Sequence, residues 1–408
     1  MNFLKKSVRV NRFPQNHRVI IKYYLFQICN NPMFFIPVLL PIYFHRGFNM
    51  QQILFAETVF YITTFLCEIP TGVIADLFGK KFSMAISSMG SAVACGLLYC
   101  TRSYTWLLLS QIIFGFAMTL SSGADSAYLY HYLKETDQHE NYSRYEGKSY
   151  SFSIAFATFT TALGGIVFAL FGEASPFLFS SAFYLVAGAI ALRLPEPKAE
   201  RELKVKQYLT GYYSQIKQSL ITVYDNKKVF SLTLIYGIFF MFSQLNIWIN
   251  QIYLKKNGVP IGLYGVIIAG LAIGGTLLSW NMERIRKKVQ PHHLVLMSCL
   301  LLPVCLLFLG IIPAFYSGIF LLLMNVVKGV FFPTVKQELN SEIPDKYRAT
   351  ILSVQSSAGN IMFSLFAPVF GKTVDVLQIK YVFIITALLI FLFFLGPLLN
   401  YKRILSKS

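Results

Sequence analysis

Four charged side chains fall inside stretches of sequence that are otherwise almost entirely apolar. They are Glu57 and Glu68 in the second apolar stretch, Asp125 in the fourth and Lys328 in the tenth. A charge near the centre of a bilayer costs on the order of 3 kcal/mol on insertion scales, which disfavours a decorative role. These residues are therefore the first candidates for binding ions or a charged solute. The alternatives are structural ion pairs or positions closer to the membrane surface.

The two glutamates of the second stretch share one helix face. They are eleven residues apart, which is close to three turns of an α-helix. A carboxylate in a half-dry cavity can bind and release protons in the physiological range. We therefore predict that Glu57, Glu68 and Asp125 are proton-coupling residues. Glu68 precedes Pro70 and Gly72, so it is also a candidate for the structure of a gate.

Lys328, the basic residue in the interior of the tenth stretch, has two possible roles. The fourth and tenth stretches are expected to run in the same direction, with Asp125 and Lys328 at similar depth. Asp125 lies in a small-residue segment, 121–126, that lets another helix pack closely. We predict that the two residues pair in one conformation of the protein and separate in another. The alternative is that Lys328 binds an anionic substrate directly.

Amide and aromatic side chains in the first and seventh stretches form a second set of candidates. Pro32 removes a backbone donor and predicts a kink in the first stretch. Polar groups on such helices often line a central cavity whose aromatic walls enclose an organic solute. The candidates for substrate binding are Gln27, Asn30, Asn31, Phe34, Gln244, Asn246, Trp248, Asn250 and Lys328. The alternative is interhelical hydrogen bonding alone.

The composition is that of a membrane protein. Of the 408 residues, 55% are hydrophobic and 13% are charged, whereas soluble proteins carry roughly twice that charged fraction. The net charge of +18 is therefore attributed to membrane topology, and no nucleic-acid partner is expected. The six cysteines lie in apolar stretches without metal-ligand spacing. We expect packed thiols, no metal site and no cofactor.

Twelve apolar stretches predict an all-α membrane protein with twelve transmembrane helices. They cover residues 22–44, 50–75, 82–101, 104–132, 148–172, 175–193, 229–254, 261–281, 292–312, 314–336, 348–373 and 380–400. Lys and Arg concentrate at both termini and in the even-numbered connections, so both termini are predicted to be cytoplasmic.

The longest polar connection divides the chain into two six-helix bundles. We predict an N-terminal bundle at 1–194, a connection at 195–228 and a C-terminal bundle at 229–408. Apolar residues recur at three- and four-residue steps from Val205 to Val223, which indicates an amphipathic helix on the membrane surface. The alternative is a solvated linker. Arg144 and Arg348 precede corresponding stretches of the two halves, as expected for pseudo-symmetric bundles with a site between them.

The connection between the second and third stretches carries a recognisable motif. It reads Gly72-Val73-Ile74-Ala75-Asp76-Leu77-Phe78-Gly79-Lys80-Lys81. This resembles the signature G-x-L-A-D-x-x-G-R-K of the major facilitator superfamily, in which Ile74 replaces Leu and Lys80 replaces Arg. The runs 144–148 and 348–353 are similar to cytoplasmic elements of bacterial facilitators. The resemblance implies a gating role for Gly72, Asp76, Gly79, Lys80, Lys81, Arg144 and Arg348.

The resemblance also implies a function. Such proteins move small solutes by alternating access, usually with a proton gradient, and the segment 68–72 is similar to a branch rich in efflux proteins, which favours export. We expect a monomer in the bacterial inner membrane, with a small-molecule substrate, a proton or sodium as coupling ion and the lipid bilayer as partners.

Two departures from the drug/proton antiporters narrow the substrate. Gln111 stands where these antiporters commonly carry Arg, and Thr160-Thr161 replaces their Gly-Pro. These departures argue against multidrug antiport. They favour a specific carrier of an acidic metabolite or siderophore, working by import or export. Uniport is a further alternative. The sequence has no nucleotide-binding glycine loop or catalytic triad, so an enzyme is not expected.

Overall fold

The computed structural model describes residues 13–197, 221–312, 314–343 and 348–406. Most of the predicted amphipathic helix in the 195–228 connection lies outside these residues. The helices are α1 (Phe13–Cys29), α2 (Leu39–His45), α3 (Met50–Phe78), α4 (Lys80–Cys100), α5 (Tyr104–Ser121), α6 (Ala124–Glu135), α7 (Tyr142–Phe171), α8 (Ser175–Leu192), α9 (Lys227–Lys256), α10 (Ile261–Trp280), α11 (Met282–Arg286), α12 (Pro291–Ile311), α13 (Ala314–Glu342), α14 (Arg348–Val376) and α15 (Ile379–Leu405).

The twelve predicted spans each coincide with one helix or with two consecutive helices, which confirms the all-α membrane fold class. Within the described ranges, nine helical segments are long and apolar enough to cross a membrane. Helix α3 is a tenth if its two arms, bent by 53° between Glu68 and Pro70, count as one span. Pro70 lacks a backbone donor, which explains a bend at this point.

Two spans are interrupted where the sequence predicts continuous helices. The first ends as α1 at Cys29 and resumes, after a short 3-10 turn, as α2 at Leu39, around the kink that Pro32 predicts. The fourth breaks at Gly123, whose φ of +76° is left-handed and therefore favours glycine. The small residues at 121–126 thus end α5, and Asp125 lies in the first turn of α6.

The motif between α3 and α4 forms a shorter turn than predicted. Helix α3 continues to Phe78, so Gly72 is helical and does not contribute to the turn. Gly79, with a φ of +98°, is the single residue between the two helices. Lys80 Nζ lies 2.8 Å from Asp76 Oδ1 across this turn, as the facing charges in the sequence predict.

The chain folds into two compact units. Of the described residues, the first unit contains 13–35 and 66–197, and the second contains 36–65 and those from 221 onwards. In the first unit, α1 buries Ile20, Tyr23 and Phe26 at three-residue steps, and the Tyr23 ring stacks on Tyr128 with centroids 6.1 Å apart. In the second unit, α9 packs against α13, α14 and α15. These contacts fix the polar faces of α1 and α9.

Candidate functional site

Five side chains of the first unit form a closed hydrogen-bonded ring, which we call the carboxylate ring: Tyr23, Gln27, Asp125, Ser126 and Glu146. Gln27 Nε2 donates to Asp125 Oδ2 and to Tyr23 Oη, both at 2.9 Å. The Ser126 backbone N–H donates to Asp125 Oδ1 at 2.7 Å, and its hydroxyl donates to Glu146 Oε1 at 2.6 Å. Tyr23 Oη donates to Glu146 Oε2 at 3.4 Å. The ring thus brings together two carboxylates, from α6 and α7.

The sequence predicted Gln27 and Asp125 as site residues but assigned them to different sites. Glu146 was not among the predicted site residues, because it lies near the start of its span, where a solvated carboxylate is the ordinary case. The sequence feature that could have indicated Glu146 is its position in the run 144–148, which is similar to a cytoplasmic element of bacterial facilitators. The helix break at Gly123 also contributes, since it directs the first turn of α6 towards α1.

The other predicted residues of the first span make contacts within their own unit. Asn30 Oδ1 accepts a hydrogen bond from Ser88 Oγ at 2.7 Å. Asn31 Nδ2 donates to Ser153 Oγ at 3.1 Å. The Phe34 ring is buried, with its centroid 5.8 Å from those of two phenylalanines of α8. Interhelical bonding therefore accounts for both asparagines, and their contact with a solute stays a prediction.

In the second unit, α9 carries a buried polar stripe formed by Ser243, Asn246 and Asn250. These residues recur at steps of three and four, so they share one helix face. Asn246 is fully buried and Asn250 is 4% exposed. Both amide atoms of Asn246, Oδ1 of Asn250 and the Ser243 hydroxyl have no hydrogen-bond partner. Because a buried unpaired polar group costs about 1–3 kcal/mol, this stripe is suited to bind a polar ligand.

Lys328 reaches the same stripe from α13. Its Nζ lies 3.4 Å from the backbone oxygen of Ser243, and the described residues of its unit provide no carboxylate at ion-pair distance. The stacked rings of Phe239 and Phe331 and the hydroxyl contact between Tyr253 and Ser317 set an antiparallel register between α9 and α13.

A further amide lies at the same level on α13. By the pairing that joins Lys328 to Ser243, Asn325 is at the level of Asn246, one turn along each helix. Asn325 Nδ2 is bonded to the backbone oxygen of Leu321 in its own helix. We call Ser243, Asn246, Asn250, Asn325 and Lys328 the lysine site. Asn325 was missed by the sequence analysis because its position at the level of Asn246 follows from the packing register alone.

The remaining candidates are distributed over both units. Glu57 belongs to the second unit and Glu68 to the first, although both are on α3, and each is half-buried. Trp248 is buried on α9 and Gln244 is half-buried. The geometry thus assigns the two glutamates of α3 to separate surroundings, and their role in proton coupling stays a prediction.

Comparisons with known proteins agree with the helical architecture. Residues 25–367 match the family model of the Major Facilitator Superfamily. The chain belongs to the major facilitator superfamily. This facilitator is 24% identical over 379 residues to an uncharacterized MFS-type transporter, YxaM, of Bacillus subtilis (strain 168), covering 90% of each chain.

Solved structures share the fold of this facilitator at low sequence identity. The nucleoside transporter NupG aligns with a TM-score of 0.75 and 14% identity, over 95% of this chain and 99% of that one. A POT family transporter in complex with a thioalcohol-conjugated peptide gives 0.74 and 11%, over 95% and 96%. A D-xylose-proton symporter gives 0.67 and 15%, over 94% and 97%. At these identities the likeness shows the fold alone.

The superfamily motif of this facilitator has an additional acidic neighbour. The Glu196 carboxylate accepts from the Lys81 backbone N–H at 3.5 Å, and a Cβ atom built on Gly79 would lie 2.7 Å from Glu196 Oε1. A carboxylate at the start of a helix is stabilised by the unpaired N–H groups and the helix dipole. Of the two predicted arginines, Arg144 is exposed on α7, and the Arg348 side chain lies outside the described residues.

Segment 36–65 of this facilitator is bound to the rest of the second unit through its backbone. Gln251 on α9 accepts from the Leu40 N–H at 2.8 Å and donates to the Ile36 oxygen at 3.1 Å, which satisfies backbone groups where α2 begins. On α14, the Asp375 carboxylate accepts from the N–H groups of Met50 and Gln51, both at 2.9 Å.

The first turn of α3 is completed by a capping box. Asn49 Oδ1 accepts from the Gln52 N–H at 2.8 Å, and Gln52 Oε1 accepts from the Asn49 N–H at 3.1 Å. Together with Asp375, these side chains satisfy the orphan donors at the start of α3. Gly371 of α14 packs closely against the backbone of this turn. We call Gly371, Asp375 and the first turn of α3 the α3 anchor. Neither Gln251 nor Asp375 was predicted as an anchor, because their partners are backbone groups distant in sequence.

Proposed function

We propose that this chain moves a small acidic organic solute across the membrane in exchange for, or together with, a proton. Membership of the superfamily makes it a secondary transporter. The observation that supports the acidic solute is the lysine site, in which a buried ammonium group adjoins polar atoms without partners. Lys328 would bind a carboxylate of the solute.

The chemistry of the lysine site suits a carboxylate better than a cation. An ammonium group at membrane depth is costly unless an anion or several oxygens surround it. The backbone oxygen of Ser243 provides one such contact to the Lys328 ammonium group. A bound carboxylate would supply the opposite charge and would accept hydrogen bonds from the Asn246 amide and the Ser243 hydroxyl. Asn250 Oδ1 would accept a bond from a hydroxyl or amide elsewhere on the solute.

Proton coupling is assigned to carboxylates outside the lysine site. Asp125 is the first candidate because it lies in the carboxylate ring, and Glu57 and Glu68 are retained as further candidates. The pairing of Asp125 with Lys328 stays a prediction, and the two residues belong to different units.

The direction and setting of transport complete the proposal. We propose a multi-pass protein of the bacterial cytoplasmic membrane with both termini cytoplasmic, acting as a monomer and favouring export. Export is supported by the resemblance of the 68–72 segment to efflux proteins, and cytoplasmic termini are supported by the enrichment of Lys and Arg at the termini and in the even-numbered connections.

The test uses everted membrane vesicles with an imposed pH gradient read by a pH-sensitive dye. Acetate, succinate, citrate and a cationic amphiphilic drug are added in turn. We expect at least one carboxylate to collapse the gradient with the wild-type chain and not with Lys328→Gln. Lys336→Gln is the matched control, because Lys336 is exposed two turns further along α13.

Two results would contradict the proposal. One is that none of the three carboxylates moves protons. The other is that the cationic drug collapses the gradient equally in wild type and Lys328→Gln, which would indicate multidrug antiport. Carboxylate counterflow without any proton movement would indicate uniport, and proton coupling would then be dropped.

A further inference from the structure

We propose that Asp125 and Glu146 hold one exchangeable proton between them, so that Glu146 is a second proton-binding residue of this transporter. The inference rests on the proton coupling proposed above and identifies where the proton is bound. It starts from the geometry of the carboxylate ring, in which Ser126 donates to both carboxylates, at 2.7 and 2.6 Å.

The donors of the ring are all neutral. Asp125 receives hydrogen bonds from the Gln27 amide and the Ser126 N–H, and Glu146 receives them from the hydroxyls of Ser126 and Tyr23. With both carboxylates ionised, the ring would carry two negative charges and no positive one. Two carboxylates at close range in a low-dielectric setting share one proton in preference to ionising together. With one proton bound, the ring carries one negative charge, which the hydrogen bonds from four donors stabilise.

Three cationic side chains on the neighbouring helices are directed elsewhere. On α1, Lys22 Nζ donates to the backbone oxygen of Arg193 at 3.4 Å. On α4, Lys80 pairs with Asp76. On α7, the charge of Arg144 interacts electrostatically with Tyr24, which lies outside the ring. The titratable groups that face the two carboxylates from packed helices are Tyr23 of α1 and Tyr142 of α7.

A buried hydroxyl without a hydrogen-bond partner lies one turn beyond Glu146 on α7. Helices α1 and α7 pack in parallel register, since Tyr23 contacts Glu146 and Asn31 contacts Ser153. Ser149 lies between these two contacts on α7, so it faces α1 at the level of Gln27. Its side chain is 2% exposed and its hydroxyl has no hydrogen-bond partner.

Release of the proton breaks one carboxyl O–H bond, leaves the electron pair on the carboxylate oxygen and passes the proton to water. One turn beyond Ser149, Asn31 Nδ2 donates to Ser153 Oγ at 3.1 Å, so polar positions continue along the helix pair. Because Ser126 donates to both carboxylates, Glu146 belongs to the same proton site as Asp125.

The test is infrared spectroscopy of the purified full chain in lipid nanodiscs at neutral pH, without solute. The wild type should show the C=O stretch of a protonated carboxyl that is absent from both Asp125→Asn and Glu146→Gln. Each change removes one member of the pair, and the remaining carboxylate no longer needs to share a proton. Glu140→Gln is the control, because Glu140 is exposed six residues earlier, and it should retain the band.

Persistence of the band in Glu146→Gln, with loss only in Asp125→Asn, would overturn the sharing. Glu146→Asp should restore the band, which separates a specific effect from misfolding. Replacing choline chloride by sodium chloride should leave the band unchanged, and its loss in sodium would show that the bound cation is sodium. Because no solute is present, the result is independent of whether Lys328 binds a carboxylate.

Discussion

The closest helix contact in the α3 anchor gives a prediction with a defined magnitude. Gly371 on α14 faces the backbone of α3, and a Cβ atom at this position would lie 2.7 Å from Gln51 Cα and 2.7 Å from the Met50 oxygen. Carbon atoms pack at about 3.5–4.0 Å, and backbone atoms cannot rotate away. Gly371→Ala should therefore separate the two helices by roughly 1 Å.

This displacement also breaks the hydrogen bonds of the anchor. The Asp375 contacts to Met50 and Gln51, now 2.9 Å, would lengthen to roughly 3.9 Å, beyond hydrogen-bond distance. Overpacking costs about 1–3 kcal/mol, and each lost bond costs about 0.5–1.5 kcal/mol. A total of about 3 kcal/mol corresponds to a roughly 100-fold change in the opening equilibrium of the anchor.

Hydrogen exchange of the first turn of α3, measured by mass spectrometry on the full chain in nanodiscs, reads this opening. We expect the amides of Met50 and Gln51 to exchange on the order of 100-fold faster in Gly371→Ala. Gly396→Ala on α15 is the matched control, because a Cβ atom there meets nothing within 4 Å. Equal exchange in the two variants would refute the close approach.

Two further predictions concern the stability of the second unit, read as melting temperature in detergent. Lys228→Met removes the shared partner of two part-buried carboxylates on α13, at 2.8 and 3.5 Å, and should lower the free energy of unfolding by about 1–3 kcal/mol. The control Lys287→Met breaks an exposed ion pair and should cost less than about 1 kcal/mol. Equal losses of stability in the two variants would contradict the argument. Gly329→Ala places a methyl group against the backbone of Gly275 and should cost about 3 kcal/mol or more. Gly270→Ala, on α10 with open space around it, should be neutral, and similar melting of the two alanine variants would rule out the tight crossing.

The sequence predicts the helices of this protein better than their interruptions. Apolar length alone places all twelve spans, because a helix must satisfy its backbone within the bilayer. Pro32 also signalled the kink in the first span. The break at Gly123 was read as a packing surface, since small residues suit both roles. Gly72 was assigned to the turn, although Gly79 alone provides the left-handed conformation.

The candidate site was predictable in residue type but not in pairing. Membrane insertion cost singled out Asp125 and Lys328, and the structure gives each a neighbourhood within its own unit. Glu146 lies near a helix start, where its charge costs little in a sequence-based estimate. Its contact with Ser126 depends on the packing of α6 on α7, which no local pattern encodes. The same holds for Asp375, whose partners are backbone groups.

The central claim is that proton binding at the carboxylate ring drives transport of an acidic solute. The most direct measurement is accumulation of a labelled carboxylate by the purified chain in proteoliposomes, with and without an imposed pH gradient, in wild type and Asp125→Asn. We predict that the wild type accumulates the solute above equilibrium only when the gradient is present. Asp125→Asn should still exchange solute in counterflow but reach only equilibrium. Full gradient-driven accumulation by Asp125→Asn would contradict the claim.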